Sequence, residues 1–248
     1  MRGQEGTLET LYEEFYRLNS RPFLTVPEPD FLYWAEAHTL AFTMLRYGIM
    51  ARAPITVVTG EIGAGKTTLL RQLLREIPAD LEVGLVSNMQ PGRGELLEWV
   101  LMALGHPVEG EPYIKLFQRL QDLVIEAYAA GKRVVLIFDE AQNLGLDTLE
   151  ELRMLSNINA DKDELLQIIL VGQPQLRDMM GRPELMQFRQ RVSADFHLGP
   201  LGREDVDRYI QHRLTLAGAQ WRIFPSRTCD LIHYATRGVP RLDRKSTR

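Results

Sequence analysis

The segment Gly60-Glu61-Ile62-Gly63-Ala64-Gly65-Lys66-Thr67 constrains this chain more than any other. It fits the spacing G-x-x-x-x-G-K-[ST], which average residue frequencies produce by chance in only about 1% of chains this long. Its surroundings narrow the reading further. The β-branched run Ile55-Thr56-Val57-Val58-Thr59 precedes it and reads as a buried strand, and the helical Leu69-Leu70-Arg71-Gln72-Leu73-Leu74 follows. A strand, a glycine-rich turn and a helix in that order aim backbone N–H groups at a phosphate chain. Lys66 then reaches the β and γ phosphates, and the Thr67 hydroxyl ligates Mg²⁺. Gly60, Glu61, Ile62, Gly63, Ala64, Gly65 and Thr68 complete the cradle. A glycine-rich turn without a ligand is the rival reading of the same residues.

Further apolar runs recur at 81–87, 134–138 and 166–171, with a weaker one at 194–198, and amphipathic helical stretches separate them. Strands alternating with helices imply parallel pairing, right-handed crossovers and helices on both faces. The expected fold is therefore an α/β, doubly wound P-loop core over 34–200. A helix from about Trp34 to Tyr47 leads into it, with Leu40, Thr43, Met44 and Tyr47 as its apolar positions. Residues 1–33 form an N-terminal segment, helical over 7–21 and then broken by Pro22, Pro27 and Pro29. A small helical unit is expected over 201–242. Its first helix, Arg203–Leu216, buries Val206, Tyr209, Ile210 and Leu214, and Ser226 is expected to N-cap a second helix ending near Gly238.

The next chemical signal is Val134-Val135-Leu136-Ile137-Phe138-Asp139-Glu140, an apolar strand that delivers two carboxylates at its C-terminal end, where α/β folds put ligands. It resembles a Walker B motif. Asp139 would hold the Mg²⁺ shell, and Glu140 would accept a proton from the attacking water. By itself such a strand end is a weak signal, because carboxylates also begin loops; paired with the phosphate loop it is a strong one.

Composition excludes several classes. A formal net charge of −4 and a pI near 5.8 advertise no nucleic-acid footprint across the whole chain. One cysteine, Cys229, rules out an intramolecular disulfide and a cysteine metal cluster, and reads as a buried small hydrophobe in a reducing cytoplasm. His106, His197, His212 and His233 show no metal-ligand spacing, so no metal beyond Mg²⁺ is implied. The acidic N-terminus is no signal peptide, and no apolar run approaches the roughly 18–20 residues that span a bilayer. Trp99 and Met102 read as core; the turn-rich 89–94 fits a loop that contacts a partner and, equally well, an ordinary turn.

Beyond these motifs, Asp139-Glu140-Ala141-Gln142-Asn143-Leu144, Leu149-Glu150-Glu151-Leu152-Arg153-Met154-Leu155-Ser156-Asn157 and Leu166-Gln167-Ile168-Ile169-Leu170-Val171-Gly172-Gln173-Pro174, with Glu61 inside the phosphate loop, resemble the ExeA, or general secretion pathway protein A, family. Its relatives include ATPases that accompany exosortase and exopolysaccharide loci. The likeness runs from about Phe15 to Leu242. It implies an AAA+ core of strand order 5-1-4-3-2, ATP and Mg²⁺ as cofactors, and Gln173 as the first sensor. It also implies an arginine finger at Arg189 or Arg191, acting on a neighbouring subunit of a homo-oligomer, and a second sensor at Arg241 in Gly238-Val239-Pro240-Arg241. More weakly, it sets Pro22, Phe23 and His38 beside the adenine. The function implied is an ATPase driving assembly of a cell-envelope secretion, pilus or exopolysaccharide system; the alternative is a DNA-associated ATP switch of the transposition-ATPase type.

The likeness stops abruptly after Leu242. Asp243-Arg244-Lys245-Ser246-Thr247-Arg248 matches the translated start of a sequencing-library adapter, so the expectation is a non-native tail on a helical lid that is incomplete.

Overall fold

The computed structural model describes residues 11–24, 28–87, 89, 94–160 and 163–241. Pro27, most of the 89–94 loop, the start of the expected 7–21 helix and the 243–248 tail lie outside these residues. In chain order the elements are α1 (Leu11–Tyr16), α2 (Glu36–Met50), β1 (Ile55–Gly60), α3 (Lys66–Arg75), β2 (Leu81–Ser87), α4 (Leu96–Ala103), α5 (Tyr113–Ala129), β3 (Arg133–Asp139) and α6 (Leu146–Leu155). A short antiparallel ladder, Asn159–Ala160 with Asp163–Glu164, precedes β4 (Leu166–Gly172), α7 (Pro174–Met180), α8 (Met186–Arg191), β5 (Val192–Leu198), α9 (Arg203–Leu216) and α10 (Ser226–Thr236).

The five long strands make one parallel sheet in the order β2-β3-β4-β1-β5, which is the expected 5-1-4-3-2 read from the other edge. Period-2 alternation divides its side chains between two cores. Ile55, Val57, Leu136, Phe138, Ile168 and Leu170 face α4 to α8, whereas Val58, Val135, Ile137, Ile169 and Val171 face α2 and α3. Each such side chain contributes about 1.5–3 kcal/mol when fully buried, and both faces are covered, so the sheet is the rigid part of the molecule. Register makes its C-terminal edge level: Thr59 pairs with Gly172 and Asp139 with Val171, so the ends of β1, β3 and β4 meet.

Helix α2 differs from expectation. Leu40, Met44 and Tyr47 point outward, and the helix buries His38, Ala41, Phe42, Leu45 and Ile49 instead. Both stripes are apolar, so periodicity alone did not choose between them; the stripe with Ala41 and Gly48 allows the closer approach to the sheet. The C-terminal carbonyls of α2 are pinned by two polar side chains. Gln167, buried in central β4, donates from Nε2 to Gly48 O at 3.1 Å, and Arg133 Nη1 donates to Ile49 O at 2.9 Å.

A third apolar group joins α9 and α10 to the N-terminal segment: Phe23 and Ala35 pack with Val206, Tyr209, Ile210, Leu214, Cys229 and Ile232. Arg213 is buried with them. Its Nε donates to Pro22 O, its Nη1 to Phe31 O at 3.2 Å, and its guanidinium lies 4.8 Å from the Phe31 ring centre. Two readings fail here. Ser226 begins α10 without capping it, and its hydroxyl accepts from Arg222 Nη2 at 2.8 Å, because Pro225 takes the N-cap position. Met102 is half exposed, while Trp99 on the same helix does pack on the core.

Candidate nucleotide site

The loop between β1 and α3 is held open by glycine geometry. Gly63 (φ +85°) and Gly65 (φ +106°) occupy the left-handed region that favours glycine. A Cβ at Gly63 would lie 2.4 Å from Arg241 Cβ, and one at Gly65 would lie 3.0 Å from His38 Nε2. Inside the loop Lys66 is 7% exposed, and its Nζ donates to Gly60 O at 2.7 Å and Glu61 O at 2.9 Å. Burial pulls its pKa below the ordinary lysine value, against the opposing charges of Glu140, Asp139 and Glu61. An anion arriving here would meet a desolvated cation and the N-terminus of α3 together. Among the other loop residues Ala64 and Thr68 are buried, and Glu61 and Ile62 are exposed.

At the end of β3, Asp139 Oδ2 accepts from Thr67 Oγ1 at 3.2 Å, so the two expected metal-binding oxygens stand side by side. Two hard oxygens next to a phosphate cradle suit Mg²⁺, which takes one or two protein ligands and fills the rest with water and phosphate. Burial pushes the Asp139 carboxyl above its usual value, more than the bond from Thr67 and the charge of Lys66 lower it. A divalent cation would reverse that balance.

Glu140 follows in a left-handed conformation, φ 57° and ψ 40°, that a residue with a side chain adopts only under constraint. Burial works against its charged form, yet hydrogen bonds from Gln142 and Gln173 and the charge of Lys66 outweigh it and hold the carboxyl below its ordinary value. Glu140 Oε2 accepts from Gln142 Nε2 at 2.6 Å and from Gln173 Nε2 at 3.0 Å, and the Gln173 main-chain N–H donates to Gln142 Oε1 at 2.9 Å.

A narrow cleft beside the loop is lined by Phe31, Leu32, Tyr33, His38, Gly65, Thr68, Leu201, Tyr209 and Pro240. Its aromatic and aliphatic walls suit a flat base. His38, 4% exposed, puts Nε2 2.9 Å from Ala64 O, a bond it can make only as an N–H donor. Pro22 and Phe23 do not line the cleft; they lie behind it, Pro22 accepting from Arg213 and Phe23 packing under α9. Arg241 does meet the loop, its N–H donating to Gly63 O at 3.2 Å, and its side chain is exposed.

Arg189 and Arg191 stand apart from this constellation. Val192, which follows them, pairs with Ile55, at the opposite end of β1 from Gly60. The rise of a strand puts that about 16 Å from the loop. Arg191 is engaged locally, with Asn157 Oδ1 and, at 3.9 Å, with Glu164 Oε1. Arg189 is exposed, on the wall of a depression it shares with Arg177 and Asp195.

The sequence assigned roles to the residues of the phosphate end, whereas Gln142 and Pro240 stood only inside quoted motifs, Tyr209 only as a helix core position, and Tyr33 and Arg213 were not named. Gln142 carried one faint signal, its place two residues after Glu140. Cys229 is buried, and burial together with Asp207 pushes its thiol up to about 11, so it is inert at neutral pH. Among the described residues no group of three His, Cys, Asp or Glu side chains could hold a metal, and no helix is long and apolar enough to cross a membrane.

The AAA domain family matches residues 49–180. Over 233 residues, 94% of this chain and 43% of the relative, the sequence is 38% identical to general secretion pathway protein A of Aeromonas hydrophila. The chain thus spans less than half the length of that protein. Among solved structures, Cdc6p of Pyrobaculum aerophilum superposes with a TM-score of 0.69 at 16% identity, over 92% of this chain and 64% of that one. The Walker-type ATPase of Pyrococcus abyssi does so with a TM-score of 0.63 at 18% identity, over 90% and 69%. At such identities these structures speak to the fold alone.

Proposed function

This chain belongs to the AAA domain family and is similar to general secretion pathway protein A, and from that premise we propose that it is a Mg²⁺-dependent ATPase whose turnover drives assembly of a cell-envelope secretion, pilus or exopolysaccharide system. The observation that carries the catalytic part is the meeting of Thr67, Asp139 and Glu140 beside a buried Lys66 at the mouth of a glycine loop.

The chemistry follows from those groups. Backbone N–H groups of 60–67 and the Lys66 ammonium take the triphosphate, exchanging the lysine's present carbonyl partners for phosphate oxygens. Thr67 and Asp139 would hold Mg²⁺, which would supply positive charge against that of the phosphates. Glu140, kept ionised by its amide donors, accepts the proton of the attacking water, and Gln173 turns its amide toward the same place. Arg241 joins the phosphate end to the helical unit of α9 and α10. Arg189, exposed and too far from its own loop, is the better placed of the pair to serve a neighbouring copy, whereas Arg191 braces the Asn157 and Glu164 side chains. The link to the cell envelope rests on the likeness to the secretion protein.

Glu140→Gln tests the reading. It should retain ATP binding and lose about 100-fold or more in turnover, the scale of a general base; hydrolysis at the parental rate would sink the assignment. In the same assay Arg189→Ala should lower turnover only where the parent protein's specific activity rises with concentration. In cells, Glu140→Gln should impair export or pilus assembly at unchanged protein level, and normal export would separate the envelope role from the ATPase.

A further inference from the structure

Gln142 has no part in the phosphate cradle, yet both ends of its amide are committed. Its Nε2 donates to Glu140 Oε2 at 2.6 Å, and its Oε1 accepts the Gln173 main-chain N–H at 2.9 Å. A carboxylate can only accept and a main-chain N–H can only donate, so these two partners fix which way the amide faces. We propose that Gln142 is a positioning residue for water activation, clamping the Glu140 carboxylate to the end of β4 so that one oxygen is anchored and the other is left for the water. This rests on the hydrolytic reading above.

Three further observations bear on it. Glu140 sits in a left-handed conformation that needs something to hold it, and the short 3₁₀ turn Ala141–Asn143 brings Gln142 back onto it directly. Gln173 Nε2 adds a second donor to the same oxygen at 3.0 Å, whereas Oε1 of Glu140 has no hydrogen-bond partner among the described residues. The backbone also makes room for the clamp, since a Cβ on Gly172 would lie 3.1 Å from Gln142 Oε1. In the reaction the water oxygen bonds to the γ-phosphorus while the bridging P–O bond breaks and its electron pair leaves with ADP. The water's proton passes to Glu140 Oε1. An amide donor on Oε2 prevents that carboxylate from swinging away.

Only an amide of this length satisfies both partners, which gives two informative replacements. Gln142→Met keeps the volume and loses both bonds. Gln142→Glu keeps the acceptor for Gln173, removes the donor and sets a like charge beside Glu140. The measurement is steady-state hydrolysis of MgATP by the full chain, with a melting curve of each variant. For Gln142→Met we expect kcat down about 10-fold, a modest share of a general base's contribution. KM for ATP should stay within about 2-fold, and the melting temperature should stay close to the parent's, so that the loss falls on kcat alone. Gln142→Glu should be slower still. Parental kcat would overturn the proposal, as would faster turnover, which would make the contact a lock. If Gln142→Met does not fold, Gln142→Glu decides by the same criteria. Glu140→Gln run alongside separates the two failures: slow Glu140→Gln with normal Gln142 variants removes only this inference, while parental Glu140→Gln removes the hydrolytic reading as well.

Discussion

The two ends of the candidate nucleotide site are built in opposite ways. The phosphate end comes from the closing residues of three adjacent strands, β1, β3 and β4, whose register is fixed by a sheet buried on both faces. The cleft proposed for the base is assembled from Phe31, Leu32 and Tyr33 of the N-terminal segment, His38 of α2, and Leu201, Tyr209 and Pro240. These segments meet through Arg213 and a small apolar group rather than through a sheet. The first end is therefore rigid, while the second can open at the expense of only a few contacts. His38 joins them, lining the cleft and donating to Ala64 in the loop.

The contrast can be broken at either end. The largest effect is expected from Lys66→Ala, which removes the buried cation from the phosphate end: hydrolysis should fall about 100-fold or more while the melting temperature barely changes, checked by phosphate release and calorimetry. A large loss of stability instead would mean that the lysine's bonds to Gly60 and Glu61 hold the loop together. Arg213→Met addresses the base end. It deletes a guanidinium that is 1% exposed and reaches Pro22, Phe31 and Glu28, so chemical denaturation should show a loss of about 2–3 kcal/mol. The KM for ATP should rise with little change in kcat. A fall in kcat as large as the rise in KM would show that the two ends are not separable.

The smallest effect concerns the junction. Burial holds His38 below the ordinary histidine value, with the Ala64 bond and Asp205 pulling the other way. In the unfolded chain a histidine takes a proton near pH 6.5, while folded His38 takes one only at lower pH. The unfolded state thus binds more protons in that interval, and stability, fully present above about pH 6.5, is lost as pH falls through it. His212, also lowered by burial, acts with the same sign. Melting midpoints should drop between about pH 7.5 and 5.5, and His38→Gln should flatten part of that slope. An unchanged slope would show that His38 does not couple the two ends.

What could be read in advance follows the same division. Gly60 to Thr67 are consecutive, and Asp139 and Glu140 end a strand whose apolar pattern is unmistakable, so local chemistry announced them. The strand order came from family resemblance, and the sheet agrees with it. The outward turn of Leu40, Met44 and Tyr47 was not legible, because both stripes of α2 are apolar and only the close approach to the sheet chooses one. Ser226 looked like a cap, but Pro225 before it holds that position and Arg222 takes its hydroxyl. Gln142 was one more polar residue in a turn until β4 brought the main chain of Gln173 against it.

By itself the sequence determined the phosphate loop, the two carboxylates and the parallel α/β core, since each depends on residues adjacent in the chain or on a strand period of two. Only the tertiary structure decided which amide restrains Glu140, which aromatic rings wall the cleft, and that Arg189 lies at the far end of β1 from the loop it resembles a partner for. The Gln142–Glu140 bond apart, those contacts join residues tens to nearly two hundred positions apart, and no local pattern encodes a distance that packing alone sets.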